Sequence, residues 1–126
     1  DFEIQSGAFV NVTDDVQAAI DGQKPFFAFY VGGMGHKDKN FHKDTMVARG
    51  YSDEAERIQE LFAAGKREEA AQVVPDEYVD DAGLFGPPER IKQRLKRWAD
   101  SPVTGLTLRN LNDDTMRLLA DINRSL

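Results

Sequence analysis

Apolar residues in the first stretch fall on alternate positions. In FEIQSGAFVNV, Phe2, Ile4, Ala8, Val10 and Val12 all occupy even numbers, and a period of two predicts a strand over Phe2–Val12. Thr13 then offers a helix N-cap, with Asp14 and Asp15 where a helix N-terminus favours negative charge. Val16, Ala19 and Ile20 continue at helical spacing. Lys24–Val31 (KPFFAFYV) reads two ways: its aromatic content fits a strand, whereas the pattern before it fits a helix restarted or kinked at Pro25. Helix is the expectation, stopped by Gly32 and Gly33.

Further on, Ser52 is expected to cap a helix whose first turn holds Asp53 and Glu54. Its inner face is Ala55, Ile58, Leu61 and Phe62, and Gly65 ends it. Lys66–Val74 predicts a third helix, stopped by Pro75, with a short turn over Asp76–Asp80. Ala82–Phe85 (AGLF) reads as a buried strand, Pro88–Ala99 as a helix, Val103–Leu108 as another strand and Asp113–Leu126 as a closing helix. Strands alternating with helices predict an α/β fold with a parallel sheet. Three strands do not close a barrel, and a small parallel sheet needs both faces covered. The chain therefore reads as part of something larger.

Composition narrows the function classes. The chain has 126 residues, 40% hydrophobic and 30% charged, the balance of a globular protein with a real core. Cysteine is absent, so disulfides and thiolate metal sites are excluded. The longest apolar run, Phe26–Val31, is far too short to span a bilayer. The chain begins at Asp1 without a visible signal peptide, and a cytoplasmic protein seen without its natural start is the expectation. A net charge of −6 argues against a general nucleic-acid binder. The basic residues Arg90, Lys92, Arg94, Lys96 and Arg97 share a helix with Ile91, Leu95 and Trp98, so they read as its solvated face.

Both histidines lie in FYVGGMGHKDKNFHKD, from Phe29 to Asp44. His36, Asp38, His42 and Asp44 are plausible metal-ligand types, but their spacing matches no established zinc pattern, and a solvated loop is expected with no metal.

The runs YVGGMGHKDKNFH and RGYSDEAERIQELFAAGKREEAAQVVPDEYVDDAGLFGPPERIKQRL carry a family resemblance. They resemble the C-terminal region of luciferase-like flavin and deazaflavin oxidoreductases, and within these the branch that uses coenzyme F-420. The specific parts are YVGGMG, Asn40-Phe41-His42, the IQELF, GKREEA and VPDE segments, and the Gly86-Pro87-Pro88-Glu89 turn. The resemblance implies that residues 1–126 are the C-terminal segment of one (β/α)₈ barrel domain, its last three strand–helix units plus a helical insertion, with the earlier strands absent. It implies hydride transfer between coenzyme F-420 (FMN is the alternative) and a small organic substrate. Pairing with the missing part, or self-association, is expected. The rival reading is a non-catalytic α/β interaction domain.

Barrel active sites lie at the C-terminal ends of strands, which here are Asn11–Asp14, Gly86–Pro88 and Arg109–Asn112. Arg109 leaves the last strand where an anionic group meets it; the plainer reading pairs it with Asp113 or Asp114. Pro87 stands where related chains carry Ser or Thr, so the helix that follows lacks a capping oxygen. In related chains the long connection before the penultimate strand is a flap, which implies that Lys37, Lys39 and His42 are candidate contacts for an anionic group. Most contacts to the deazaflavin come from earlier strands, so no catalytic or cofactor-binding residue is assigned.

Overall fold

The computed structural model describes residues 2–126. In chain order it contains β1 (Gln5–Val12), α1 (Val16–Gly33), α2 (Phe41–Ala48), α3 (Ser52–Ala63), α4 (Arg67–Val73), α5 (Asp76–Asp80), β2 (Gly83–Gly86), α6 (Pro88–Ala99), β3 (Gly105–Arg109) and α7 (Asp113–Arg124). These form two compact units: a sheet unit that runs to Ala19 and resumes over Asp80–Leu126, and a helical unit, Ile20–Val79.

In the sheet unit all pairing is parallel, with Phe9–Val12 beside Gly83–Gly86 and Gln5–Phe9 beside Gly105–Arg109. Even-numbered side chains of the strands share one face. Val10, Leu84, Leu106 and Leu108 pack there with Ile91 and Leu95 of α6 and Leu119 and Ile122 of α7. Burying a Leu or Ile side chain of this kind contributes about 2 kcal/mol. The opposite face is open along β1 and β3: Gln5, Gly7, Asn11, Thr107 and Arg109 are exposed. Phe85, on that same face, is fully buried.

The strand order is β2-β1-β3. Three consecutive barrel units would instead pair in chain order, with β2 in the middle. Ala82 and Gly86 accept hydrogen bonds from Phe9 and Thr13 of the β1 side, so ladder alternation turns the Phe85 carbonyl to the outer edge. Arg90 Nη1 donates to that carbonyl at 2.5 Å, while Arg90 Nη2 lies 2.9 Å from Asp80 Oδ2. Arg94 also pairs with Asp80, which is 8% exposed. One outward carbonyl of the β2 edge is therefore taken by Arg90, and β3 pairs on the other side of β1. Arg90 and Arg94 also correct the expected solvated basic face, since their guanidinium groups are drawn onto a buried carboxylate.

The start of α1 is displaced from Thr13 by the same ladder. The Thr13 N–H still donates to Gly86 at 3.1 Å, so the helix begins after it, at Val16. Thr13 Oγ1 instead accepts from the Asp15 N–H, and Asp15 Oδ1 accepts from the Ala18 N–H. As expected, α1 continues through Pro25 as a helix rather than a strand.

As expected, α1 ends at Gly33, and both glycines lie within its last turn. A Cβ on either glycine would run into the Phe62 side chain of α3, so these residues permit close helix packing. The helical unit closes around Met46, Ala55, Ile58, Leu61, Ala70, Val74 and Val79, each no more than 5% exposed. Ser52 is the first residue of α3 rather than its cap, and Gly65, at φ +77°, follows its end. α2 corresponds to no element expected from the pattern of apolar residues.

Candidate functional site

The C-terminal ends of the three strands turn sharply. After β2, Gly86 takes φ +124°, a conformation that excludes most side chains, and a Cβ there would meet Arg90 and Val16. After β3, Asn110 takes φ +65°, the left-handed region that Asn tolerates better than most residues. The two helices that follow differ at their starts. Asn112 Oδ1 accepts from the Thr115 N–H at 2.8 Å and caps α7, whereas α6 begins behind Pro87 with no side-chain cap. The missing capping oxygen inferred from Pro87 is thus observed.

Arg109 projects from the end of β3 on the open sheet face, its guanidinium 5.8 Å from the centre of the Phe9 ring. At that distance a cation–π attraction holds it over the ring. Among the described contacts Arg109 has no ion pair with Asp113 or Asp114, which lie in the first turn of α7. Those two carboxylates make the rim beyond β3 acidic.

In the helical unit, the segment between α1 and α2 is a tight corner. Gly35 takes φ +97°, and the Lys39 N–H donates to the His36 carbonyl at 3.0 Å. Asn40 holds both flanking helices. Its Nδ2 donates to the Tyr30 and Val31 carbonyls at 3.0 and 2.9 Å, at the end of α1. Its Oδ1 accepts from the His42 and Lys43 N–H groups at 2.9 and 3.0 Å, at the start of α2. Asn40 is 5% exposed, so every polar atom of its amide is satisfied within the protein.

The sequence-derived candidates sort as follows. Lys37 and Lys39 are exposed on this corner, and the Lys37 carbonyl accepts from Gln59 Nε2. His42 stands edge-on to Tyr30, ring centres 4.7 Å apart. Lys37, Lys39 and His42 therefore share one corner of the helical unit, while Arg109 belongs to the sheet unit. Sequence reasoning missed Lys43, whose Nζ lies 2.7 Å from both Gln59 Oε1 and Glu56 Oε1. It also missed Asn40, although Asn before a helical first turn is a recognised cap signal. His36 Nδ1 lies 3.7 Å from Asp38 Oδ2, both side chains exposed, and among the described residues no three His, Asp or Glu converge on a metal-sized site.

Two concavities of the sheet unit adjoin α6. A groove of about 480 Å³ runs between α6, β3 and α7, lined mainly by Leu95, Trp98, Leu106, Leu108, Leu111 and Met116. A second, of about 330 Å³, is lined by Asp80, Asp81, Arg94, Arg97 and Ser101. Burial, followed by the neighbouring Arg97, holds the Arg94 guanidinium below its usual range. Neither concavity includes Arg109.

Residues 1–105 match the family model described as luciferase-like monooxygenase. The chain belongs to that family. It is 39% identical over 120 residues to a Mycobacterium tuberculosis protein that carries the name coenzyme F-420-dependent oxidoreductase, a match over 95% of this chain and 35% of the relative. Its fold is like that of coenzyme F-420-dependent tetrahydromethanopterin reductase from Methanopyrus kandleri. That likeness has a TM-score of 0.63 at 18% identity, over 93% of this chain and 32% of the reductase. The chain thus spans about a third of the length of each relative. Among the described residues no helix is long and apolar enough to cross a membrane.

Proposed function

We infer that this chain is the C-terminal segment of a cytoplasmic oxidoreductase that transfers a hydride between coenzyme F-420 and a small organic substrate. The observation that carries this reading is the 39% identity, over 95% of the chain, to a relative named for that cofactor. Both relatives are named for F-420 and neither for FMN, which favours the deazaflavin over the alternative.

The sheet supports the segment reading. In a (β/α)₈ barrel the helices cover the outer face of the sheet and the inner face is closed by strands across the barrel. Here α6 and α7 cover one face, while Asn11, Thr107 and Arg109 stand on an open one. A preceding strand seated on the edge of β1 that β3 occupies would displace β3 to the far side of β2, giving barrel order. Arg90 must then release the Phe85 carbonyl. Pairing with the remaining strands, or with a second copy, covers what this chain leaves open.

The concavities beside α6 include none of Asn11, Gly86 and Arg109 at the strand ends. The strand ends offer Asn11, Arg109 and the turn at Gly86, with Asp113, Asp114 and Arg117 together beyond β3. The ring and phosphate contacts are accordingly assigned to the rest of the protein, and no chemical step is placed on this segment. Arg109 in the sheet unit and, separately, Lys37, Lys39 and His42 in the helical unit are proposed as contacts for anionic groups of substrate or cofactor.

The test is reoxidation of reduced F-420 by the full-length protein against a panel of small carbonyl, imine and activated alkene acceptors, followed by absorbance. Turnover with at least one acceptor, absent in the 126-residue chain, is the expected result. Full-length protein that binds FMN and ignores F-420 overturns the reading.

A further inference from the structure

The two edges of the sheet are not alike. At β2 the outward carbonyl of Phe85 is occupied by Arg90, itself fixed by buried Asp80. At β3 the Gly105 N–H donates to the Ile4 carbonyl, so ladder alternation sends the N–H and C=O groups of Leu106 and Leu108 outward. No hydrogen bond to those outward groups is present among the described contacts. The β3 sequence, GLTLR, carries no charge before its last residue, and natural edges are usually blunted by an inward or central charge. Beside this edge the apolar groove opens, with Met116 52% exposed on its α7 wall.

A free row of backbone donors and acceptors selects an extended strand rather than a helix. The groove selects apolar side chains on alternate residues of that strand. β3 meets both requirements itself, since Leu106 and Leu108 stand on the groove side and Thr107 on the other. We propose that the 126-residue chain dimerises through antiparallel pairing of β3 with β3 of a second copy about a two-fold axis at Thr107. Leu106 of each copy then faces Leu108 of the other, exchanging both N–H···O bonds, and each pair of leucines extends the groove of its neighbour. Charge fixes the antiparallel sense. Parallel pairing would stack the two Arg109 side chains about 4.8 Å apart, whereas antiparallel pairing places them at opposite ends of the strand, about 14 Å apart. This inference deepens the pairing stated above and rests on it, but it does not depend on the cofactor.

Sedimentation velocity of the 126-residue chain between about 1 and 100 μM tests it, read against the 14.1 kDa protomer mass. Leu108→Pro removes an outward N–H and leaves the bonds from β3 to β1 intact. Met116→Asp charges the groove wall at an exposed position, so it remains decisive if the proline variant fails to fold. A dimer in the unaltered chain is expected, with dissociation constant raised at least tenfold by Met116→Asp, and by Leu108→Pro if folded. A monomer throughout that range, or a dimer indifferent to Met116→Asp, overturns the proposal. Neither result bears on F-420 turnover by the full-length protein.

Discussion

Asn40 shows how much one side chain settles in this chain. Its amide donates to the last carbonyls of α1 and accepts from the first N–H groups of α2. Asn40→Ala is expected to destabilise the fold by roughly 2–3 kcal/mol, because buried carbonyls and N–H groups lose their partners together. Asn40→Asp separates this account from simple capping. Aspartate is as good a cap as asparagine, yet here it would press a buried carboxylate against the Tyr30 and Val31 carbonyls. Urea titration should show Asn40→Asp at least as damaging as Asn40→Ala; a harmless Asp would mean that the two donated bonds contribute little. Gly32 gives a second test. Gly→Ala inside a helix ordinarily stabilises by about 0.5–1 kcal/mol, but a Cβ at Gly32 would lie 2.6 Å from Phe62 Cβ. Gly32→Ala is therefore expected to lower stability by about 1–3 kcal/mol, which a shift of the urea midpoint would report. A stabilised variant would contradict the packing role.

At the scale of elements, the helical unit is tied by groups that respond to alkali. Burial lowers the Lys24 ammonium, but hydrogen bonds to Asp76 and Asp21 outweigh it and hold the group above its usual range. Burial, partly offset by Arg49, raises the Tyr78 phenol above its ordinary value near 10. Both groups are protonated when they stabilise the fold, and both folded values lie above the unfolded ones. Their contribution is fully present below the unfolded values and is lost as pH rises through the folded ones. Chemical denaturation between about pH 8 and 11.5 should show a decline above about pH 10, smaller in Lys24→Met; unchanged stability across that window would contradict the assignment. The elements themselves were largely legible. The period of two placed β1, helical spacing carried α1 through Pro25, and Pro88–Ala99 matches α6 end to end. α2 was hidden because its eight residues bury only Met46, leaving no apolar stripe to read. Strand order was equally hidden, because pairing between strands distant in sequence is not encoded by the periodicity of each strand. The exposed position of Arg109 at the end of β3 was legible from strand polarity, whereas Asn40 and Lys43 act through partners distant in sequence or through backbone groups.

For the whole molecule, the family assignment and the open strand ends lead to one proposal. On the proposed reading, the chain would supply strand ends and a helical insertion to a deazaflavin oxidoreductase, with the ring and phosphate contacts made by the rest of the protein. Catalysis of this kind depends on holding two reacting atoms in register from several strand ends at once, and the three strands here offer only part of that ring. Scattered cations such as Arg109, Lys37 and Lys39 attract an anionic cofactor only weakly, and salt screens that attraction. Fluorescence titration of coenzyme F-420 with the 126-residue chain and with the full-length protein, at low and physiological salt, tests this most directly. Tight, salt-tolerant binding by the full-length protein alone is the predicted result. A salt-insensitive dissociation constant below about 10 μM for the short chain, roughly −7 kcal/mol, would contradict it and place the cofactor site on these residues.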